Sequence, residues 1–411
     1  MEETLRVAFF PDTYDEIDGV ANTSRQFEAF ARKSGFDFLI VCGGRQDRIE
    51  KDGSVTRMTC RRGPIGFPVD KNHTFDLAFW RHYSAAREQL RKFRPDVVHI
   101  TGPSDVGQLG ALLAKKMRVP LAASWHTNLH QYAEQRASGF LRLLPAANGK
   151  NMGALIRESS LSAILRFYSL ADVLFAPNPA LTEMLSDGTR KTVYPMLRGV
   201  DTKLFAPSRR DRSNPEFTIG YVGRLTVEKS VGFLIDLERA LDRAGLANFR
   251  FSIVGQGAEE PSLRAQMKKA DFHGVLKGEA LAQAYANMDA FVFPSRTDTF
   301  GNVVLEALAS GVPAVVTDSG GPQFIVDEGE TGFVARTPGD FPAHVRALAS
   351  ETQRLQTMRN NARNAALALS WDAIFSGIYD DYRRELRKLG AKQKDVNVSP
   401  TASVASSRQL S

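Results

Sequence analysis

The 411-residue sequence is poor in the features that mark secreted, membrane-spanning and metal-binding proteins. Its two cysteines, Cys42 and Cys60, are too few for a disulfide framework or a cysteine-based metal cluster. No apolar run approaches the roughly 18 residues that a spanning helix needs. The start, MEETLRVAFFPD, lacks the basic residues and the apolar core of a signal peptide. We therefore expect a metal-free protein of the reducing cytoplasm.

Two further absences reduce the range of expected ligands. There is no dense basic tract interleaved with aromatic residues, so nucleic acid is not an expected partner. Residues 255–260 read Gly-x-Gly-x-x-Glu, which is an incomplete dinucleotide fingerprint and disfavours an NAD oxidoreductase. Lysine and arginine nevertheless number 53 against 46 aspartates and glutamates, a formal net charge of +7. This balance favours anionic partners such as nucleotide phosphates or an anionic membrane face.

Short apolar runs alternate with helical patterns twice along the chain, which predicts two α/β domains, each with a doubly wound parallel sheet. We assign residues 1–205 to an N-terminal domain and residues 217–370 to a C-terminal domain. Residues 206–216 are rich in arginine and proline without apolar periodicity, and they are the expected linker. Residues 371–390 form a final helix. Residues 391–411 are polar and serine-rich, which predicts a disordered tail.

Some segments give weaker signals. The pattern predicts a loop over residues 60–70, a helix over residues 75–93 and one long helix over residues 342–369. Residues 332–334 are interpreted as a loop. The segment 135–168 has five basic residues and one acid among many apolar residues. It is either a peripheral surface for an anionic membrane or two helices packed on the first domain, and the sequence leaves both open.

The stretch FVFPSRTDTFGNVVLEALASGVPAVV, residues 291–316, is the most informative in the chain. It predicts a buried strand, a polar loop, a helix from about residue 303 and a second strand. A ligand of such a unit lies beyond the carboxyl ends of the strands. Asp298 and Glu306 are placed there, and Gly301 allows close backbone approach next to the free amides of a helix start. A ligand with phosphates and hydroxyl groups fits this arrangement.

Two other strand ends carry polar side chains. Gly223, Arg224 and Lys229 follow the strand pattern of residues 217–222, and two cations near a helix start can neutralise a leaving diphosphate without a metal. His126 stands at the carboxyl end of the strand pattern 120–125. A lone histidine is often structural, but this position suits a catalytic group.

The segment PSRTDTFGNVVLEALASGVPAVV resembles the donor site of retaining glycosyltransferases of the GT-B fold, in family four. The family pattern has two glutamates with seven residues between them. Asp298 takes the first position, as it does in a subgroup that resembles mannosyltransferases and sulfolipid synthases. The motif Arg198-Gly199-Val200-Asp201 resembles the same subgroup. The resemblance covers nearly all of residues 5–389.

The resemblance implies a GT-B fold, whose two Rossmann-like domains face each other across a cleft and whose last helix crosses back onto the first domain. It implies retaining transfer of a hexose from a nucleotide-sugar donor to a hydroxyl of a lipid or glycan acceptor, without metal or other cofactor. Arg224 and Lys229 would stabilise the departing diphosphate, Asp298 would bind sugar hydroxyls, and His126 would complete the catalytic set. The implied donor-binding residues are Gly19, Gly199, Gly223, Gly255, His273, Phe300, Gly301, Asn302, Val303 and, at the ribose, Glu306.

The identity of the donor and the reaction class leave alternatives. GDP-mannose is the first expected donor, on the motifs around Asp298 and Arg198. A UDP-sugar-dependent synthase of sulfoquinovosyl- or glucosyl-diacylglycerol is the close alternative. A GT-B epimerase and a non-catalytic nucleotide-sugar binder are more remote. We expect the protein in the cytoplasm, with the inner face of the membrane as a peripheral location if the segment 135–168 binds lipid.

Overall fold

The computed structural model describes residues 5–16, 19–63, 66–68, 74–126, 158–212 and 215–398. Side chains are described within these ranges except at 66–68, 74 and 391–398. The segment 135–168 lies outside the described residues up to 157 and is helical from 158 to 168. The two alternatives for that segment therefore remain predictions.

The first lobe is built on an eight-stranded sheet with the strand order β10-β9-β8-β7-β1-β2-β4-β3. All neighbours in it are parallel except β3 and β4. Alternate residues of β1 face two apolar clusters, with Phe10 in one and Phe9 in the other, so both faces of the sheet are covered. The strands are β1 (Val7–Phe10), β2 (Phe38–Gly44), β3 (Arg48–Asp52), β4 (Val55–Arg61), β7 (Val97–Ile100), β8 (Leu121–Ser124), β9 (Val173–Ala176) and β10 (Val193–Pro195), with a separate ribbon of β5 (Gly66–Pro68) and β6 (Thr74–Asp76). The helices are α1 (Gly19–Ser34), α2 (Tyr83–Phe93), α3 (Asp105–Met117), α4 (158–168) and α5 (Pro179–Thr189).

The second lobe has a six-stranded parallel sheet in the order β13-β12-β11-β14-β15-β16. Numbered within the lobe, this is the order 3-2-1-4-5-6 of dinucleotide-binding sheets, whose ligand site lies where the order reverses, between β11 and β14. The strands are β11 (Phe217–Val222), β12 (Phe249–Val254), β13 (Ala270–Phe272), β14 (Ala290–Phe293), β15 (Ala314–Thr317) and β16 (Gly332–Ala335). The helices are α6 (Phe233–Arg243), α7 (Glu260–Gln266), α8 (Gly278–Ala286), α9 (Asn302–Ala309), α10 (Asp340–Ser350) and α11 (Thr352–Leu367).

The last helix, α12 (Trp371–Val398), crosses back to the first lobe as predicted. Phe375 and Tyr379 are buried in the same cluster as α1, and the rings of Phe27 and Phe375 stack with centroids 4.5 Å apart. The helix continues past residue 390, so the predicted tail is wrong for residues 391–398. That segment begins Ala-Lys-Gln-Lys, four residues of high helix propensity that extend an existing helix readily. Residues 399–411 lie outside the described residues.

Three predicted boundaries in the first lobe need correction. The expected loop 60–70 starts later, because β4 continues to Arg61 in a hairpin with β3. The hairpin turns at Gly53, which has a φ of +59°. Charged residues fill β3, so it shows no apolar alternation that would reveal a strand. The expected helix 75–93 has its first regular α-helical turn at Tyr83, after β6 and a 3-10 turn at Phe79–His82.

Two predictions in the second lobe are also wrong. The single helix 342–369 is two helices, α10 and α11, that are interrupted at Glu351. The predicted loop at residues 332–334 is the edge strand β16, which pairs with β15. Gly332 allows this pairing, since a Cβ there would lie 2.0 Å from the carbonyl oxygen of Ala314.

The expected linker 206–216 is anchored to the second lobe. Asp289 is 5% exposed, and its carboxylate forms ion pairs with Arg210 at 2.7 Å and with Arg212. Arg359 of α11 adds a third guanidinium at 3.2 Å. Ion pairs between a buried carboxylate and partly buried arginines attach this segment to the second lobe, and such contacts need no apolar periodicity.

Two expected absences can be examined within these ranges. Among the helices that the structure describes, none combines the length and the apolarity required to span a bilayer. Cys42 and Cys60 are buried and free, and burial raises the pKa of each thiol to about 12. Thiols with such pKa values are poor nucleophiles at neutral pH.

Candidate active site

The loops that follow β11 and β14 lie side by side at the switch point of the second sheet, because the two strands are hydrogen-bonded neighbours. The loop after β11 carries the cationic pair Arg224 and Lys229. The loop after β14, residues 295–299, carries Asp298 and is called the acidic loop here. The topology therefore brings together residues that are about 70 positions apart in the chain. This is the edge at which parallel α/β sheets bind ligands.

Lys229 and Asp298 form the central contact of the site. The Lys229 ammonium Nζ donates to Oδ1 of Asp298 at 2.6 Å, and the two side chains are 13% and 19% exposed. The other carboxylate oxygen, Oδ2, is buried and has no hydrogen-bond partner among the described residues. Buried polar atoms are normally hydrogen-bonded, so this oxygen is suited to accept a hydrogen bond from a ligand. Arg224 lies on the same loop, is 45% exposed and contacts Glu228 at 3.4 Å.

Glycines shape the backbone around this contact. Gly223 and Gly255 have φ values of +155° and +135°, which side chains rarely tolerate. A Cβ on Gly255 would also lie 1.9 Å from the carbonyl oxygen of Gly223, so the two loops touch through backbone alone. The amide of Gly255 donates to the carbonyl of Gly274 at 2.7 Å. The glycines are therefore required by the geometry of the loops, whether or not a ligand is present.

The acidic loop leads into helix α9 through a glycine with a positive φ. Gly301 precedes the helix with a φ of +100°, and no side chain caps the helix start. Phe300 is 6% exposed and is packed in the core of the second lobe, which fixes the loop on that side. The first amides of a helix lack intrahelical partners and attract anions. The backbone from Gly301 through Asn302 and Val303 thus offers donors beside the Lys229–Asp298 contact.

Glu306 lies one turn into α9 and is partly buried. Its Oε2 accepts a hydrogen bond from the Tyr285 hydroxyl of α8 at 2.9 Å. Burial raises the pKa of the Glu306 carboxyl to about 7, and the bond from Tyr285 opposes this shift. Near neutral pH the carboxyl is therefore poised between its acid and its carboxylate form.

The first lobe contributes His126, which follows β8. His126 is 6% exposed, and both of its ring nitrogens are engaged: Nε2 with the Ser124 hydroxyl at 2.6 Å and Nδ1 with the Arg198 guanidinium at 3.0 Å. Burial and the neighbouring cation hold the pKa of His126 well below its usual range. The imidazole is hence neutral, and in this arrangement it has no ring nitrogen left for a ligand.

The two lobes meet at Thr299 of the acidic loop. Its hydroxyl donates to the backbone carbonyl of His126 at 2.7 Å. Its own carbonyl accepts from the Asn178 side-chain amide at 2.5 Å. Gly19 also faces the second lobe, because a Cβ there would lie 3.3 Å from the side-chain nitrogen of Asn302. The residues expected from the first domain, His126 and Gly19, thus lie against the donor-side loop.

For two predicted donor-binding residues, Gly199 and His273, the structure shows no contact with the Lys229–Asp298 pair among the described residues. Gly199 packs on the start of α12, where a Cβ would lie 2.6 Å from the backbone nitrogen of Trp371. This close approach is a sufficient structural reason for glycine at that position. His273 is exposed and follows β13, the edge strand two positions from β11 in the sheet. The role of His273 in donor binding stays a prediction.

Several side chains at the site were not expected from the sequence. Tyr285, Asn178 and Thr299 had no assigned role, and Arg198 was singled out only as part of a motif. Asn178 carried a usable signal, since Asn-Pro directly after a strand is typical of a helix N-cap at a sheet edge. The other residues depend on contacts between separate elements, which a pattern along one element does not report. Among the residues that the structure describes, no group of three or more His, Cys, Asp or Glu side chains could hold a metal ion.

Two Rossmann-like lobes joined by a returning helix, with a cationic and acidic site at the second switch point, define the GT-B architecture. Comparison with known proteins supports the same architecture. A model described as Glycosyltransferase Family 4 matches residues 17–204, and one described as Glycosyl transferases group 1 matches residues 216–354. The solved sucrose-phosphate synthase from Thermosynechococcus elongatus superposes with a TM-score of 0.70 at 18% identity, covering 92% of this chain and 98% of that chain.

Curated relatives match over almost the whole length. The GDP-mannose-dependent alpha-mannosyltransferase of Mycobacterium tuberculosis is 31% identical, with 92% of this chain and 96% of that protein covered. The sulfoquinovosyl transferase of Arabidopsis thaliana is 28% identical, with 93% of this chain and 74% of that protein covered. The chain therefore belongs to glycosyltransferase family four. It is a glycosyltransferase of the GT-B fold, as the sequence predicts.

Proposed function

We propose that the protein transfers a mannosyl group from GDP-mannose to a hydroxyl of a lipid or glycan acceptor, with retention of configuration and without a metal ion. The observation that carries the proposal is the Lys229–Asp298 contact at the switch point of the second lobe. It sets a cation for the diphosphate and an acceptor for sugar hydroxyls next to each other.

The diphosphate is assigned to Lys229, Arg224 and the start of α9. An ammonium has three donors, and the contact with Asp298 uses one, which leaves the others for phosphate oxygens. The exposed guanidinium of Arg224 supplies a planar fork that suits phosphate. Two cations and the amides after Gly301 stabilise the negative charge that develops on the leaving group. This charge stabilisation is what a metal ion supplies in other transferases.

The carboxyl groups of Asp298 and Glu306 are assigned to the sugar and to the ribose of the donor, respectively. The buried Oδ2 of Asp298 accepts a sugar hydroxyl, and the Lys229 contact holds the carboxylate in place for it. Glu306 accepts the ribose hydroxyls, with Tyr285 orienting its carboxyl. Because Asp298 is already engaged with a lysine, we assign it to sugar binding rather than to a covalent glycosyl-enzyme of the hydrolase type. Retention then requires the acceptor to attack on the face that the diphosphate leaves, with a diphosphate oxygen taking the proton.

The donor is the finer part of the proposal. GDP-mannose is favoured by Asp298 in place of the commoner glutamate and by the motif around Arg198, both of which suit the subgroup. Relatives whose names state GDP-mannose dependence match at 27–31% identity. The sulfoquinovosyl and glucosyl-diacylglycerol synthases also match over 93% of this chain, so a UDP-sugar is the second candidate.

A donor panel tests the proposal. The full-length protein is mixed with GDP, UDP, GDP-mannose, UDP-glucose and UDP-sulfoquinovose, and thermal shifts are recorded with and without EDTA. Release of free nucleotide in the presence of a lipid acceptor then separates a transferase from a binder, and analysis of the recovered sugar separates it from an epimerase. The anomeric coupling constant of the product reports retention or inversion. A shift with UDP-sugars alone would replace the donor, and an inverted product would overturn the mechanism.

Substitutions test the residue roles. Lys229→Ala and Glu306→Ala should each lower kcat/KM for the donor by about 10² or more, since each removes charge or positioning at the transition state. Lys269→Ala is the matched control, because Lys269 forms an ion pair of 2.7 Å with Asp242 in the same lobe at an exposed site. Turnover near wild type in both site variants, with donor binding intact, would remove the assignment.

We also propose that the protein works at an anionic membrane face through the segment 135–168. The support is the five-to-one excess of basic residues in that segment. Sedimentation with vesicles that contain about a third anionic lipid, compared with purely zwitterionic vesicles, tests this proposal. Substituting Arg136, Arg142 and Arg157 by serine should release the protein from the anionic vesicles. Equal sedimentation with both vesicle types would argue against an electrostatic surface.

A further inference from the structure

A buried chain of polar side chains runs from the last helix to the wall of the cleft. The Tyr382 hydroxyl of α12 contacts Nδ1 of His99, and Nε2 of His99 lies 2.8 Å from the Ser124 hydroxyl. Ser124 contacts Nε2 of His126, and Nδ1 of His126 meets Arg198. All five residues are 8% exposed or less. This row of hydrogen-bonded side chains is therefore shielded from water along its length.

Arg198 is an unusual member of this chain. It is 3% exposed, and its described contacts are the carbonyls of Met196 at 2.6 Å and Leu197 at 3.2 Å and the His126 ring. Among the described residues, no carboxylate pairs with it. Burying a cation without a counter-ion is costly, so a group retained in this state generally has a task that a neutral side chain would not perform.

The task follows from hydrogen-bond chemistry. A guanidinium only donates, so Nδ1 of His126 must accept and carries no proton. The remaining proton of a neutral imidazole then lies on Nε2, which donates to Ser124 at 2.6 Å. The imidazolium form is excluded too, because it would set a donor at Nδ1 against the donors of Arg198. One tautomer and one charge state satisfy all of these contacts.

We infer that Arg198 is a positioning residue, which holds His126 in the neutral Nε2–H form and thereby fixes the backbone at 126 against the donor loop. The backbone carbonyl of His126 is the atom that receives Thr299, the residue next to Asp298. Arg198 therefore acts on the donor site through His126 and touches neither donor nor acceptor in this role. The functional part of this inference rests on the proposed transferase activity.

The groups that face His126 support one direction of response to pH. Within the described residues these are Arg198, Ser124, His99 behind Ser124, the loop at Thr299, and Tyr168, whose hydroxyl binds the backbone of Ser124. None of these groups is a carboxylate that would favour the imidazolium. Removing Arg198 removes the cation that opposes protonation and frees Nδ1, so His126 should begin to titrate at a higher pH.

The first test observes the tautomer directly. Long-range ¹H–¹⁵N NMR of the histidine-labelled full chain distinguishes Nε2–H, Nδ1–H and imidazolium forms, and His126→Gln identifies the resonance. We expect the Nε2–H form of His126 from pH 5.5 to 8 in the wild type and in Arg198→Lys, which retains a donor-only cation. In Arg198→Met the resonance should show mixed tautomers and should titrate.

The second test measures how the loss of Arg198 changes turnover and its dependence on pH. In Arg198→Met, kcat/KM for the donor should fall by about 10- to 10²-fold through misplacement of the loop, with a new acidic limb in its pH profile that Arg198→Lys lacks. Arg363→Met is the matched control, because that guanidinium also binds backbone carbonyls, those of Phe205, Ala309 and Thr202, but no imidazole.

The outcomes separate the inference from the proposed function. A wild-type His126 in the Nδ1–H or imidazolium form would overturn the positioning role, and so would an Arg198→Met protein whose tautomer and pH profile are unchanged. If the tautomer behaves as expected while no transfer of mannose is detected, Arg198 retains its role and the proposed donor fails.

Discussion

The raised pKa of Glu306 predicts that this carboxyl destabilises the folded protein at neutral pH. The carboxyl titrates near 7 in the folded state because it is buried, against an ordinary value of 4.5. Between these two pH values the folded state keeps the proton and the unfolded state loses it, so the free energy of unfolding falls as pH rises. Above pH 7 the full cost is present, and it is about 3 kcal/mol for this separation of pKa values.

Substitution of Glu306 by glutamine should remove this dependence on pH. The difference in melting temperature, variant minus wild type, should be small near pH 4.5, rise until about pH 7 and stay level above it. For a lobe of about 150 residues, 3 kcal/mol corresponds to roughly 6–12 °C. Differential scanning calorimetry at half-unit pH steps measures the difference. Glu279→Gln is the control, since the Glu279 side chain is 83% exposed and already solvated.

With the ribose-binding role proposed for Glu306, the same carboxyl links stability to donor binding. Ribose hydroxyls donate to a carboxylate but gain less from a carboxylic acid, so GDP-mannose should bind less tightly below pH 7, by up to about tenfold for each pH unit. The diphosphate of GDP-mannose is a diester and keeps its charge over this range, so the effect reports the protein. A difference in melting temperature that is flat from pH 5 to 8 would show that Glu306 is not desolvated, and would refute the reasoning.

Two further substitutions test the contacts of the lobes. Asn178→Asp should keep the cap of α5, because its Oδ1 accepts from the Leu181 amide at 2.9 Å, but it should lose the donor to Thr299. The expected result is about a tenfold loss in kcat/KM with a melting temperature close to wild type, and a proportionate loss of both would instead indicate a folding defect. Gly199→Ala should lower the melting temperature through the clash with Trp371, by the several degrees that correspond to about 1–3 kcal/mol, while donor affinity is retained. Gly377→Ala on α12 is the control, since nothing lies within 4 Å of a Cβ there, and weaker donor binding in Gly199→Ala would restore the glycine to the donor site.

Much of the second lobe could be predicted from the sequence, because its strands are continuous apolar runs. The bounds of β11 agree with the predicted run 217–222, and β14 and β15 are the two strands predicted within residues 291–316, since parallel strands buried on both faces leave a strong local signal. The pairing of Lys229 with Asp298 was implied by topology, since both follow strands that meet at one sheet edge. The hairpin of β3 and β4 could not be predicted in the same way, because its exposed strand is held by backbone pairing rather than by an apolar face.

The charge state of a site residue is harder to predict than its position. The sequence predicted the strand end that carries His126 and the helix that carries Glu306, but it contained no information on the burial of either group. Tyr285 and Arg198, which are 21 and 72 positions away, decide what each group can donate or accept. Such partners come from elements that pack together only in the folded chain. Spacing along the sequence therefore predicts which residues gather at one sheet edge, and the tertiary contacts decide in which protonation state they do so.

The contacts of Thr299 connect the surroundings of Asp298 in the second lobe with those of His126 in the first. Thr299 is next to Asp298, so the loop that holds the Asp298 carboxylate is tied on one side to Lys229 within the second lobe and on the other side to His126 and Asn178 of the first. A movement of one lobe against the other must stretch the contacts at Thr299 before it disturbs the ion pair. Because a shift of about 1 Å at a reacting centre costs on the order of 10² in rate, the position of the first lobe is a determinant of turnover at a site built almost wholly by the second.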